Sequence, residues 1–386
     1  MKLLELFGGI GACSKALERL GIDYEIADYV EIDKYAVMSY NAIHNTNFKP
    51  QDIREWDKDI DVDLIMHGSP CQDFSVAGKG AGGDEGSGTR SSLMYETIRI
   101  VNKLKPKYVI WENVKNLLSK KHKHNFDKYV ITMNNLGYNS YYQVLNAKDY
   151  GIPQNRERVF TISIRQDVDM GYTFPKKQEL KLKLKDILEN NVDDKYYISD
   201  KMKKTLLADS GNWKISEKKY EINREITRTI NTREGCYRPD MSEYICNELP
   251  NNYNLLLIKN NTKKGYLEAK EGYGIDLGHI NSNTHRGRVQ KDMIQTLSAQ
   301  NDKGTVLSDL RIRKLTPKEC WRLMGFNDED FEKASGVNSN TQLYKQAGNS
   351  IVVNVLEGIL KNLLNKSSFE GQINFDILEK IGEVNG

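Results

Sequence analysis

Apolar residues along the first half of the chain come in short runs divided by polar turns. Residues 2–7 form an apolar run that ends in glycines, and residues 12–20 follow with helical spacing. Residues 24–30 read as a strand and 34–43 as a helix. Residues 62–66 are apolar and stop at Gly68-Ser69-Pro70. A helical pattern covers 93–104, a buried strand 108–111, another helix 125–136, and a further strand 159–164. Strands alternating with helices in this way predict an α/β fold with a mainly parallel sheet covered on both faces. Such sheets bind ligands at the carboxyl ends of their strands.

The pattern changes after Pro175. Residues 176–310 are polar, without clean alternation, and carry 24 Lys/Arg against 20 Asp/Glu. Order resumes at Thr316-Pro317-Lys318-Glu319, where Thr reads as an N-cap, Pro as the first helical residue and Glu as the partner closing a capping box. A last helix is expected over 350–364, with Ile351, Val355, Ile359 and Leu363 on one stripe, and the tail after Lys366 is polar. The chain therefore divides into residues 1–175 with 311–386, and a separate segment 176–310.

Composition adds limits. The 386 residues carry a net charge of +3, which neither demands nor excludes nucleic acid, because a cleft can concentrate positive charge on a nearly neutral protein. The five cysteines, at 13, 71, 236, 246 and 320, are odd in number and lack zinc spacing, so a reducing cytoplasm is expected and no metal site. The first apolar run is too short for a signal-peptide core, and no stretch has the length needed to span a bilayer.

Four groups of residues suggest chemistry. Phe7-Gly8-Gly9-Ile10-Gly11 joins the first strand to the first helix, where glycines let a ligand approach the backbone above a helix N-terminus. Alone it also reads as a tight turn, and Ser14 stands where a dinucleotide fingerprint would place its third glycine. Glu31 ends the second strand and Asp52 follows the next polar loop; an acid at the end of a second strand can accept ribose hydroxyls. Gly68-Ser69-Pro70-Cys71-Gln72 puts a cysteine just past a strand end behind a rigid proline. Six glycines within 78–88 then suggest a mobile loop. Glu112 follows a buried strand, where desolvation would raise its pKa and let it protonate or bond a ring nitrogen. Arg156 and Arg158 lie on one side of an extended segment, placed to hold a base oxygen and a phosphate. Each group alone has a plain reading: a buried cysteine, a solvated carboxylate, a surface charge cluster.

Together and in this order they resemble the DNA cytosine-5 methyltransferases. Leu6-Phe7-Gly8-Gly9-Ile10-Gly11 is similar to that family's cofactor motif and Gly68-Ser69-Pro70-Cys71-Gln72 to its nucleophile motif. Glu112-Asn113-Val114 and Gln154-Asn155-Arg156-Glu157-Arg158 resemble its base-holding motifs. Residues 313–319 and 344–350 resemble its last two motifs. The resemblance covers about 1–165 and 311–365.

It implies a Rossmann-like S-adenosylmethionine-dependent methyltransferase domain with a smaller target-recognition domain. Cys71, flanked by Pro70 and Gln72, would be the nucleophile, Glu112 would hold the base at N3, Arg158 its O2 side, and Arg156 the catalytic loop or a phosphate. Phe7, Gly9, Ile10, Gly11, Glu31, Ile32, Asp52, Ile53, Asn349 and Ser350 would line the S-adenosylmethionine pocket. Arg286, Arg288, Thr296 and His285 would face double-stranded DNA. The chain would act as a monomer, with a restriction endonuclease as a partner it can have. A tRNA methyltransferase, a non-catalytic DNA-binding module and a nicotinamide oxidoreductase are the competing readings. The long segment 176–310, the retained Cys71, Glu112 and Arg158, and Ser14 argue against them in turn.

Overall fold

The structure is a computed structural model that describes residues 1–70, 90–199, 256–278, 287–300, 302–307 and 312–364. Cys71, Gln72, the glycine loop, His285, Arg286 and the tail lie outside the described residues. The chain forms two compact units: residues 1–189, 296–301 and 316–386, and residues 190–295 with 302–315.

The larger unit is built on a six-stranded sheet. Its strands are β1 (Lys2–Leu6), β2 (Glu25–Val30), β3 (Leu64–His67), β4 (Tyr108–Val114), β5 (Tyr138–Asn146) and β6 (Glu157–Arg165), in the spatial order β2-β1-β3-β4-β6-β5. The first four pair in parallel, whereas β6 runs antiparallel to both β4 and β5. Successive residues of the central strands are buried on both faces, as Leu3, Leu4, Glu5 and Leu6 are in β1. Helices on both sides require this, and it accounts for the continuous apolar runs in the sequence. On one face Leu4, Leu6, Ile65, Val109, Trp111 and Val159 pack with Met94, Ile100 and Val101 of α3 (Met94–Leu104) and with Phe126, Tyr129 and Met133 of α4 (Lys123–Asn135).

α1 (Ala12–Arg19) and α2 (Lys34–His44) follow β1 and β2, as expected. The expectation misses β5. Its sequence, YNSYYQVLN, is largely polar and its burial irregular, which an edge strand with one solvated side permits. Residues 316–364 return to this unit as α5 (Pro317–Arg322), α6 (Asp328–Ser335), α7 (Asn340–Asn349) and α8 (Val353–Leu363). The last helix starts three residues later than expected because Ser350 and Val352 are extended, and residues 340–349 form a helix of their own.

The unit boundaries correct those expected. Residues 176–189 belong with the larger unit: Leu184 and Ile187 are buried, and Arg322 Nη1 donates to the Ile187 carbonyl at 2.8 Å. Residues 296–301 belong there too, since Leu297 N donates to Gln154 Oε1 at 3.0 Å. Residues 312–315, by contrast, belong to the smaller unit. Its four-stranded antiparallel sheet comprises β9 (Gly274–Asp276), β10 (Val289–Gln290), β11 (Lys303–Val306) and β12 (Ile312–Lys314), in the order β10-β9-β11-β12. A hairpin of β7 (Leu256–Lys259) and β8 (Tyr266–Ala269) completes it. Ile258, Ala269, Ile275, Leu277, Val306 and Ile312 form its core. Among the described residues, no helix is long and apolar enough to cross a membrane.

The capping box at Thr316 is formed. Its Oγ1 accepts from Glu319 N at 3.2 Å, and its own N–H donates to Glu319 Oε2 at 2.8 Å. Glu319 Oε1 also accepts from Glu189 N at 2.8 Å, and the Thr316 hydroxyl donates to the Glu189 carboxylate. Thr316→Ala should therefore lower stability by about 1–2 kcal/mol, and Thr316→Ser by much less. Thermal melts of the full chain compare the two, and equal midpoints would remove the cap from the account.

Candidate active site

The turn after β1 folds tightly because its backbone enters the left-handed region at Phe7 (φ 54°), Gly9 (φ 55°) and Gly11 (φ 80°). The glycines serve different ends. A Cβ on Gly8 would lie 2.7 Å from the Tyr29 ring, and one on Gly11 2.2 Å from His44 Nε2, whereas one on Gly9 would meet nothing within 4 Å. The turn is thus closed from below and open at Gly9. The Glu31 carboxylate is fixed by two amides, Gly9 N at 3.2 Å and Asp33 N at 2.8 Å, and burial pushes its pKa up. Asp33 caps α2 through Tyr35 N at 3.0 Å and pairs with Lys345 of α7 at 2.6 Å, which ties the residue-340s motif to the end of β2.

The other expected pocket residues divide. Ile10 and Ile53 have buried side chains, Ile53 within the sheet core, so only their main chain is left to meet a ligand. Ile32 is 64% exposed beside Glu31, an apolar surface next to a carboxylate. Asp52 is paired with Arg54, whose guanidinium holds the carboxyl below its usual range. Asn349 closes α7, and Ser350 follows it, buried. Glycine backbone, a clamped carboxylate and an adjoining apolar side chain fit a nucleoside-bearing cofactor. Among the described residues no group of His, Cys, Asp and Glu has the arrangement of a metal site.

A second group gathers at the end of β4. Glu112 Oε1 lies 2.9 Å from Arg158 Nε, with both side chains largely buried. Burial raises the Glu112 pKa; Arg158 and then Arg156 oppose the shift without cancelling it. A Cβ on Gly68 would lie 3.7 Å from Glu112 Oε2, so the chain leaving β3 passes close to this carboxylate. The next residue, Ser69, is held twice: Trp111 Nε1 donates to its Oγ at 3.0 Å and Asn113 Nδ2 to its carbonyl at 3.3 Å. Pro70 follows, with Cys71 next in the chain.

Arg156, expected beside the catalytic loop or a phosphate, is held by main-chain carbonyls. It is 4% exposed, and its guanidinium donates to the carbonyls of Leu297 at 3.2 Å, Gly348 at 3.1 Å and Ser350 at 2.7 Å. Its own N–H donates to Asn146 Oδ1 at 3.1 Å. It ties its own segment to the backbone at Leu297 and at residues 348–350. Arg288, expected to face DNA, is likewise held by main-chain carbonyls. At 2% exposure it donates to the carbonyls of Asp276 and Gly278 at 3.2 and 3.3 Å, bracing the smaller unit from within. Thr296 donates to the Asn155 carbonyl at 2.8 Å. The sequence reading gave no role to Trp111, Asn113 or Ser69 as tethers, nor to Tyr29, although Asn113 and Ser69 stand inside the motifs quoted.

The sheet, with its glycine turn after β1 and acid after β2, is the fold of an S-adenosylmethionine-dependent methyltransferase. The family model for C-5 cytosine-specific DNA methylases matches residues 1–365, and the chain belongs to that family. It is thus a DNA cytosine-5 methyltransferase. It is 34% identical to the type II methyltransferase M2.ScrFI of Lactococcus lactis subsp. cremoris, over 94% of this chain and 99% of that one. It is 32% identical to the orphan methyltransferase M.SPRI of Bacillus phage SPR, over 94% and 97%. The fold is shared with the S. pombe Dnmt2 methyltransferase at a TM-score of 0.57 and 19% identity, over 94% and 98% of the two chains.

The raised Glu112 pKa has a defined sign in stability. A carboxyl that holds its proton more tightly folded than unfolded costs stability at pH values above its folded pKa. That cost vanishes below the unfolded pKa, where both states are protonated. Glu112→Gln should therefore match wild type at about pH 4 and be the more stable chain at neutral pH. Melting midpoints across pH test this; a variant that loses ground as pH rises would contradict it.

Proposed function

We propose that this enzyme methylates C5 of a flipped-out cytosine in double-stranded DNA, through a covalent bond between Cys71 and C6 of the base. The observation that carries the reading is the Glu112–Arg158 pair beside the end of β3, next to the twice-tethered Ser69. Cytosine C5 is a poor nucleophile. Addition of the Cys71 thiolate to C6 breaks the ring conjugation and turns C5 into an enamine carbon, splitting one hard step into easier ones. Glu112 stabilises positive charge at N3 and holds the exocyclic amine, and Arg158 binds the O2 side. After methylation the C5 proton leaves to a base, C6 releases the Cys71 sulfur, and the ring regains its conjugation. These contacts require the base to leave the duplex.

S-adenosylmethionine supplies the electrophilic methyl when bound. The Gly9 backbone and the Glu31 carboxylate would hold its nucleoside, with Phe7, Ile32, Asp52 and Asn349 around it. Residues 190–295 and 302–315 would select the DNA sequence, with Arg286, His285 and Thr296 as the residues that face DNA.

Two experiments test the reading. Cys71→Ser should abolish methylation and leave DNA and donor binding largely intact, and wild type should form a denaturation-resistant adduct on DNA carrying 5-fluorocytosine. Absence of that adduct from active wild type would rule out the covalent route. Glu31→Ala should weaken S-adenosylmethionine binding by about 1.5–3 kcal/mol, the worth of hydrogen bonds to a charged group. Calorimetry showing unchanged affinity would take Glu31 out of the pocket.

A further inference from the structure

The Gly9 peptide is held at both ends. Its N–H donates to Glu31 at 3.2 Å, and its carbonyl accepts from the Tyr29 hydroxyl at 2.7 Å. Tyr29 is fully buried, and its ring lies directly beneath Gly8, where a Cβ would come within 2.7 Å of it. Its other side stacks on Tyr40 of α2 with centroids 3.8 Å apart. Tyr40 in turn donates to the Glu5 carboxylate at 2.8 Å, which also accepts from the Ser14 hydroxyl at 2.7 Å. A continuous buried column thus runs from the end of β1 through α2 to the one glycine of the turn that opens outward.

We infer that Tyr29 is a positioning residue for the methyl donor: its hydroxyl and ring hold the Gly8-Gly9 backbone in the shape that receives the cofactor's nucleoside. The inference rests on the proposed cofactor site and deepens it. Two features separate this from ordinary packing. A packing role needs only the ring, yet the hydroxyl is spent on the carbonyl of the residue whose N–H orients Glu31. Gly8 also has a negative φ, so it is not required by its conformation; the closeness of the Tyr29 ring is what excludes a side chain there.

Tyr29→Phe keeps the ring and removes the hydroxyl. It should weaken S-adenosylmethionine binding about threefold to tenfold, the net effect of one hydrogen bond. The KM for the donor should rise in parallel, while kcat at saturating donor and the KM for DNA stay within about twofold. Binding of the product S-adenosylhomocysteine, read by calorimetry without turnover, should weaken by the same factor. A second pair of variants covers the case of misfolding. Gly8→Ala should weaken donor binding, and should do so less in a Tyr29→Leu background, where no ring stands in the way. Donor affinity unchanged in a folded Tyr29→Phe protein would overturn the inference, as would equal Gly8→Ala effects in the two backgrounds. If wild type itself bound neither S-adenosylmethionine nor its product, the cofactor reading would fail first, so the two failures are distinguishable.

Discussion

The antiparallel register between β4 and β6 is the constraint on which the Glu112–Arg158 pair depends. Val114 pairs with Arg158 and Glu112 with Phe160. Residues two apart on a strand share a face, so Glu112 and Arg158 are diagonal neighbours on the same side, within reach of long side chains. A shift of one residue would turn Arg158 to the opposite face and leave Glu112 buried without its cation. A desolvated charge that loses its partner is far more costly than a surface pair, so the register and the ion pair stabilise one another. An all-parallel sheet would not produce this pairing; the reversal of β6 brings an arginine from its N-terminal end up beside the carboxyl end of β4.

The same reversal explains why Arg156 and Arg158, two positions apart, diverge in role. Arg158 lies within the strand and shares a face with Glu112. Arg156 precedes the strand, where the chain is still turning, and its guanidinium is consumed by three carbonyls from distant segments. One of these is the Gly348 carbonyl, in a helix end packed so closely on Ser298 that a Cβ on Gly348 would lie 2.2 Å from the Ser298 carbonyl oxygen. Arg156 therefore supplies donors to carbonyls of two segments, one of them a helix end, that lack regular partners, which is what buried backbone requires.

Much of this was legible in the sequence, for physical reasons that also mark its limits. Doubly covered strands leave continuous apolar runs, so β1 to β4 and β6 could be read directly. The edge strand β5 has only one packed side and two asparagines, and its pattern is lost. Local chemistry also survives in sequence: Thr316-Pro317-Lys318-Glu319 specifies its cap within four residues. Fates set by long-range pairing do not. Arg288 looks like a solvated basic residue beside Arg286, yet backbone carbonyls ten and twelve positions away bury it. Tyr29 carries no motif at all. Its significance comes from the pairing of β1 with β2, which sets its ring beneath Gly8.

Three buried carboxyls near the carboxyl ends of these strands show how structure and function divide. Glu5, Glu31 and Glu112 all have pKa values raised by burial. Glu5 is met by the Ser14 amide and hydroxyl and the Tyr40 hydroxyl. Glu31 receives one amide on each oxygen, leaving acceptor capacity on both. Glu112 bonds a single guanidinium through one oxygen, among the described residues, and its other oxygen faces the chain leaving β3. Desolvation penalises all three, and the protein's own donors offset it only in part at each, with hydroxyl donors present only at Glu5. The capacity left at Glu31 and Glu112 is what a ligand's donors would fill under the proposed function. That difference separates the two carboxylates proposed to meet ligands from the one that ties β1 to α1 and α2.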